Sequence, residues 1–179
     1  MNRWQRLAEH VWESGHLLPP ALYLHRDNHW VCAIQLNSPI DAEDMAIALS
    51  AWAGTDSDAA AYVADSVIRP LDGPGAVCPC DQDGCQACGD TGVFRGYEEA
   101  LLVVAFTDQG SLVVTMPYGE EGWGRSRVRE PDEGTTLRDL IDRTLAIRAR
   151  MKGTMTLEDS LTFMAGYGLR VDRGMIPDE

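Results

Sequence analysis

Near the start of the chain the apolar residues fall at helical spacing. Trp4, Leu7, Ala8, Val11 and Trp12 occupy i, i+3, i+4, i+7 and i+8 before Ser14-Gly15, which predicts one amphipathic helix whose stripe needs a core to cover it. Two short apolar runs follow, Ala21–His25 and Trp30–Leu36, joined by Arg26-Asp27-Asn28-His29. The Asp-Asn pair tolerates the positive φ of a tight turn, so the spacing predicts a β-hairpin. Residues 41–52 read as a helix, with Asp41 and Asp44 near its positive dipole end and Gly54 just beyond its last turn. A further helix is expected from Asp58 to about Val67, ended by Arg69-Pro70 because the residue before proline is pushed out of the α region.

Residues 70–97 break the periodicity. They carry six glycines, three prolines and four of the five cysteines, and are expected to form a long loop ordered by something other than a core. A second, stronger hairpin signal follows, Ala100–Phe106 and Ser111–Met116 around Thr107-Asp108-Gln109-Gly110. Its nearly continuous Leu and Val suggest central strands buried on both faces. Residues 119–124 read as a loop and 125–129 as a short strand. Thr136 with Asp139, and Thr156 with Asp159, match the capping-box spacing and place helices at about 137–151 and 157–165. Gly166 and Gly168 close the last one, leaving a polar tail. There is no internal repeat. The summed order predicts a single α+β domain over 1–179, a small antiparallel sheet covered by helices, with the 70–97 loop inserted between the two hairpins.

Charge narrows the partner classes. The chain has 179 residues and a formal net charge of -13, which repels nucleic-acid backbones over most of the surface and favours a basic partner or solubility. The balance is uneven. Residues 1–124 hold 5 basic and 18 acidic side chains, whereas 125–152 hold 8 and 5. No apolar run approaches the ~20 residues needed to cross a bilayer, and the first thirty residues lack the order of a signal peptide. The expectation is a cytoplasmic protein with no membrane contact.

The cysteines are the strongest chemical signal. Cys78, Cys80, Cys85 and Cys88 stand as C-x-C, four residues, then C-x-x-C. Two thiol pairs converging across a short turn suit Zn²⁺, which takes four thiolates in a tetrahedron with Zn–S near ~2.3 Å and deprotonates them on binding. Clustering of this kind in an intracellular chain points to metal rather than disulfides. Because four cysteines close the coordination shell, the ion is expected to be structural, a zinc-knuckle-like staple for the 70–97 loop. An iron–sulfur cluster on the same four thiolates is the alternative, and would make the chain a redox protein. The stretch from Cys85 to Gly92 resembles the C-x-x-C-x-G-x-G repeat in the cysteine-rich zinc region of DnaJ-type chaperones. It departs from that pattern at Asp90, which replaces the first motif glycine, and in its first pair, which is C-x-C rather than C-x-x-C. The resemblance covers about 15 residues and implies zinc chemistry alone.

Catalytic hardware is scarce. Asp90-Thr91-Gly92 spells the aspartic-protease triplet but follows Cys88-Gly89 instead of an apolar strand. His10, His16, His25 and His29 form no recognised metal spacing, and Cys32 sits in an apolar run as a small hydrophobe. Phosphate-binding loop, dinucleotide fingerprint and nucleophile-elbow motifs are all missing. No catalytic residue is assigned. Trp123, flanked by glycines, and Arg125, Arg127 and Arg129, which would project from one strand face, form the expected partner-binding segment. The expected role is therefore a protein–protein interaction or regulatory module with structural zinc. A nucleic-acid-associated zinc protein using the arginine-rich residues from Arg125 to Lys152 is the alternative.

Overall fold

A computed structural model describes residues 3–13, 20–37, 42–68, 76–77, 93–94, 98–119, 122–124, 126–130 and 136–172. In chain order the elements are α1 (Arg3–Glu13), β1 (Ala21–Arg26), β2 (His29–Gln35), α2 (Ala42–Gly54), β3 (Ala59–Ile68), β4 (Ala76–Val77) and β5 (Val93–Phe94). Then come β6 (Glu98–Thr107), β7 (Gly110–Gly119), β8 (Gly122–Trp123), β9 (Arg127–Arg129), α3 (Thr136–Met151), α4 (Leu157–Gly166) and β10 (Arg170–Asp172).

The first hairpin forms as the sequence predicts. Asp27 and Asn28 both take positive φ, 51° and 69°, the pair of left-handed residues that lets a two-residue turn follow the twist of its strands. Seven strands lie in the order β10-β2-β1-β3-β6-β7-β8, with β9 also paired to β7, and every pairing is antiparallel. Alternation along each strand sends side chains to opposite faces. Leu22, Leu24, Ile34, Tyr62, Phe106 and Val113 meet Leu49 and Trp52 of α2, Ile141 of α3, and Leu161 and Met164 of α4. On the opposite face Tyr23, Trp30, Val63, Val103 and Val114 meet Trp4, Leu7, Ala8 and Val11 of α1. The sheet is thus sandwiched, three helices on one side and α1 on the other.

Two expectations are corrected. The fold is not a small sheet with a stapled loop set between two hairpins; it is one broad antiparallel sheet that dominates the chain. The helix expected at 58–67 is β3, paired with β1 and over its whole length with β6. Ala59, Ala60, Ala61 and Ala64 carry high helix propensity, but Ala60, Tyr62 and Ala64 are buried in the three-helix core while Ala59, Ala61 and Val63 are buried in the α1 core. Small residues let helices pack close on both faces, and that two-sided burial outweighs propensity. With β3 a strand, the two predicted hairpins become halves of one sheet. Residues 69–97 then fall inside a β3–β6 hairpin, because Ile68 stands opposite Glu98.

The last two helices lie where the sequence places them, and α4 carries its predicted cap. Thr156 Oγ1 accepts a hydrogen bond from the Asp159 backbone N–H at 3.1 Å, the N-cap geometry. Past α4, Gly168 at φ 85° turns the chain back, so what reads as a polar tail supplies the edge strand β10 against β2. One edge of the sheet is the three-residue β10 and the other is shared by the two-residue β8 and the three-residue, arginine-bearing β9, and short or charged edge strands discourage pairing between molecules.

Candidate functional site

Cys78, Cys80, Cys85 and Cys88 lie outside the described residues, but the chain on either side of them is placed. β4 pairs with β5 in antiparallel register, Ala76 opposite Phe94 and Val77 opposite Val93. The chain therefore leaves Val77, one residue before Cys78, and returns to Val93 across a single strand spacing of about 4.8 Å. Ten residue pairs of β3 and β6, from Ala59↔Thr107 to Ile68↔Glu98, form the stem from which this segment departs. Among the described residues no three His, Cys, Asp or Glu side chains gather as a metal site. Cys32, the described cysteine, is fully buried in the three-helix core, as a small hydrophobe.

The same end of the sheet carries a polar cluster that the sequence did not signal. Asp65 follows Val63 by two residues on β3, Glu99 precedes Leu101 on β6 and Tyr118 follows Met116 on β7, so all three project to the α1 side. Tyr118 donates a hydrogen bond of 2.6 Å to Asp65 Oδ1. Burial, that bond and the Glu99 carboxylate push the Tyr118 hydroxyl above its ordinary value of 10. Trp123 meets the Tyr118 ring edge-on, with centroids 6.2 Å apart. It ends β8 and is half-buried against the α1-side core, where the glycines beside it had suggested an open loop.

Arg125 lies outside the described residues. Arg127 and Arg129 sit in β9 opposite Thr115 and Val113. Directly opposed residues share a face, and Val113 belongs to the three-helix core, so both arginines project to the three-helix side while Val128, opposite Val114, projects to the α1 side. Arg127 is half-buried, and Val128 and Arg129 are exposed.

The C-terminal cations of the arginine-rich segment divide sharply. Arg148 is buried, with 3% of its side chain exposed. It donates to the carbonyls of Trp52 (2.5 Å), Thr55 (2.6 Å) and Ser57 (2.6 Å) and to Asp108 Oδ1 (2.8 Å), and lies 4.6 Å over the Trp52 ring. Carbonyls at the end of α2 have no intrahelical partner, and Arg148 of α3 provides one, fixing α2 to the β6–β7 turn. Lys152 also pairs with Asp108. Partial burial alone would raise the Asp108 carboxyl, but the hydrogen bonds and charges of Arg148 and Lys152 outweigh it and hold it below its ordinary 3.8. A shallow cavity of about 320 Å³ adjoins this clasp, lined by Asp108, Gln109, Gly110, Leu145, Arg148, Ala149 and Lys152. With its guanidinium committed to the protein, Arg148 is withdrawn from the stripe expected to read phosphates.

Another pairing escaped the sequence because its members are 33 residues apart. His25 Nδ1 donates to Asp58 Oδ1 at 2.8 Å, and its ring meets Trp30 at 5.0 Å between centroids. His25 O accepts from the Asp58 backbone N–H. These contacts tie the end of β1 to the start of β3 and account for the buried histidine without a ligand.

No protein-family model matches the chain, and neither a curated protein nor a solved structure matches it. No helix among the described residues is long and apolar enough to cross a membrane, which leaves β-barrel membrane proteins untouched.

Proposed function

We propose that the chain is a non-enzymatic protein-interaction module of the cytoplasm whose cysteine segment is stapled by one structural Zn²⁺ held by Cys78, Cys80, Cys85 and Cys88. The observation that carries this reading is the β4–β5 pairing. It closes the base of the cysteine-bearing segment through backbone hydrogen bonds, so four soft ligands within eleven residues need gather over a short span. Four thiolates leave no open position for substrate or water, which fits a staple rather than a catalyst. The segment stands at the end of two central strands, a rigid stem from which to present a surface. Trp123 and the β9 arginines supply the partner-binding candidates beside β7. Burial of Arg148 and pairing of Lys152 leave the nucleic-acid reading with fewer cations than the sequence offered.

Elemental analysis of purified protein tests the metal. The expected result is one zinc per chain in a colourless protein; visible absorbance with bound iron after anaerobic purification replaces zinc with a cluster. Cys85→Ser should release the metal and open residues 70–97 to protease while the β6–β7 hairpin stays folded. Unchanged metal content in that variant rejects the ligand set. The interaction role is tested by a photo-cross-linker at Val128, exposed between Arg127 and Arg129: a protein adduct formed in the native host supports it, and salt-sensitive adducts with nucleic acid alone reject it.

A further inference from the structure

The solvent face of α3 combines features the interaction reading does not use. Arg143, Ala146, Ile147 and Arg150 stand at i, i+3, i+4 and i+7, all exposed, on one stripe of the helix. Ile147 is 46% exposed and Met151, beside the stripe, 43%. Arg143 and Arg150 have no acidic partner among the described residues, in contrast to Arg138, which pairs with Asp142 at 3.1 Å, and Lys152, which pairs with Asp108. Exposed cations with no acidic partner among the described residues stand out in a chain of net charge -13. Their opposite face holds Ile141 and Thr144 in the core, so the stripe rests on a helix fixed in place.

We infer that the Arg143–Ala146–Ile147–Arg150 stripe of α3 is a docking face for an acidic amphipathic peptide segment of a partner protein. The two cations flank a small apolar patch, so the complementary segment presents a Leu-type side chain to Ile147 and Ala146 with carboxylates on either side. Other occupants fit less well. A second copy laid antiparallel over the patch would set Arg143 against Arg150 of its neighbour, placing like charges together. Two partly exposed apolar side chains are too little area to insert into lipid, and two arginines are too few to hold a phosphate backbone. The inference rests on the interaction reading but not on the metal.

The test is a titration of the zinc-loaded full chain with a fluorescent helical peptide carrying Leu at i, i+4 and i+8 among Glu residues. Its Glu→Lys counterpart, anionic phospholipid vesicles and duplex DNA are run beside it. At about 50 mM salt the acidic peptide should bind, and Arg143→Glu/Arg150→Glu should weaken binding at least tenfold, the difference shrinking as screening increases. Ile147→Ser should weaken it severalfold, and both variants should keep the parent's melting temperature because the altered positions are exposed. The inference is overturned if the acidic peptide fails to bind, if charge reversal leaves its affinity unchanged, or if the stripe instead responds to the Lys peptide, vesicles, DNA or self-association. A Val128 adduct that persists while α3 fails leaves the interaction reading standing; loss of both removes it.

Discussion

Arg148 offers the sharpest test of how this fold is held. Replacing it with Met keeps most of the volume over the Trp52 ring and removes every donor. The carbonyls of Trp52, Thr55 and Ser57 then lose charge-assisted hydrogen bonds, each of the kind worth about 1.5–3 kcal/mol in isolation. Simple addition overstates the loss, because water can reach some of these groups and the bonds share one side chain. Asp108 contributes less: its side chain is 43% exposed, so its freed charge is solvated and that pair is closer to the surface value of about 0–1 kcal/mol. Removing one side of a buried polar pairing costs about 3–5 kcal/mol, and the exposure of Asp108 puts the expectation at the lower end, about 3 kcal/mol. Urea unfolding at pH 7 should show the midpoint falling by about 1–2 M with an unchanged slope. Arg148→Lys keeps the charge but cannot span three carbonyls and a carboxylate with a single ammonium, so it should lose about 2 kcal/mol. A loss under about 1 kcal/mol for Met, or wild-type stability for Lys, would refute the view that this guanidinium fastens α2, α3 and the β6–β7 turn together.

The other predictions concern neighbouring groups. Because the Asp108 carboxyl is held below its ordinary value of 3.8, it stabilises the fold above that value and the contribution fades as pH falls through the lowered one. Asp108→Asn should therefore melt below wild type at neutral pH, with the gap closing in acid, as followed by thermal unfolding across that range; a gap independent of pH contradicts the ion-pair account. Thr156→Ala should remove the α4 N-cap and cost about 1 kcal/mol, with Thr156→Ser nearly neutral, both measured by denaturant unfolding.

Local chemistry carried much of the fold into the sequence. Asp27-Asn28, the stripe of α1, and the Thr156 cap each depend on residues within a few positions of one another, so spacing alone exposed them. What failed depended on distant surroundings. Ala59–Ala61 have a helix former's composition, and only the arrival of helices on both sides of β3 makes a strand of them. Arg125–Lys152 read as one basic stripe because a charge count cannot distinguish Arg150, which is solvated, from Arg148, whose partners lie more than ninety residues earlier at Trp52, Thr55 and Ser57. Trp123 looked open because its neighbours are glycines, whereas Tyr118 and the α1-side core half-bury it. The cysteine spacing proposes a chemistry, since metal ligation is written in residue type and short intervals; its position inside a β3–β6 hairpin was not legible, because strand partners are chosen by the whole sheet.

That position separates two kinds of order. The core strands pair over ten registered positions between β3 and β6 and are buried by helices on both faces, packed on residues outside the cysteine segment. Beyond Ile68 and Glu98, the described pairing within 69–97 is the two-residue β4–β5 contact, and an isolated two-stranded ribbon of that length is not stable by itself in water. Between Val77 and Val93 the four cysteines are the residues that one ion could fasten, and such ligation contributes several kcal/mol. The zinc proposal thus rests on the cysteine spacing together with the closed base of the segment. It also separates the two interaction surfaces: chelation should disable what the cysteine segment presents while leaving the α3 stripe in place.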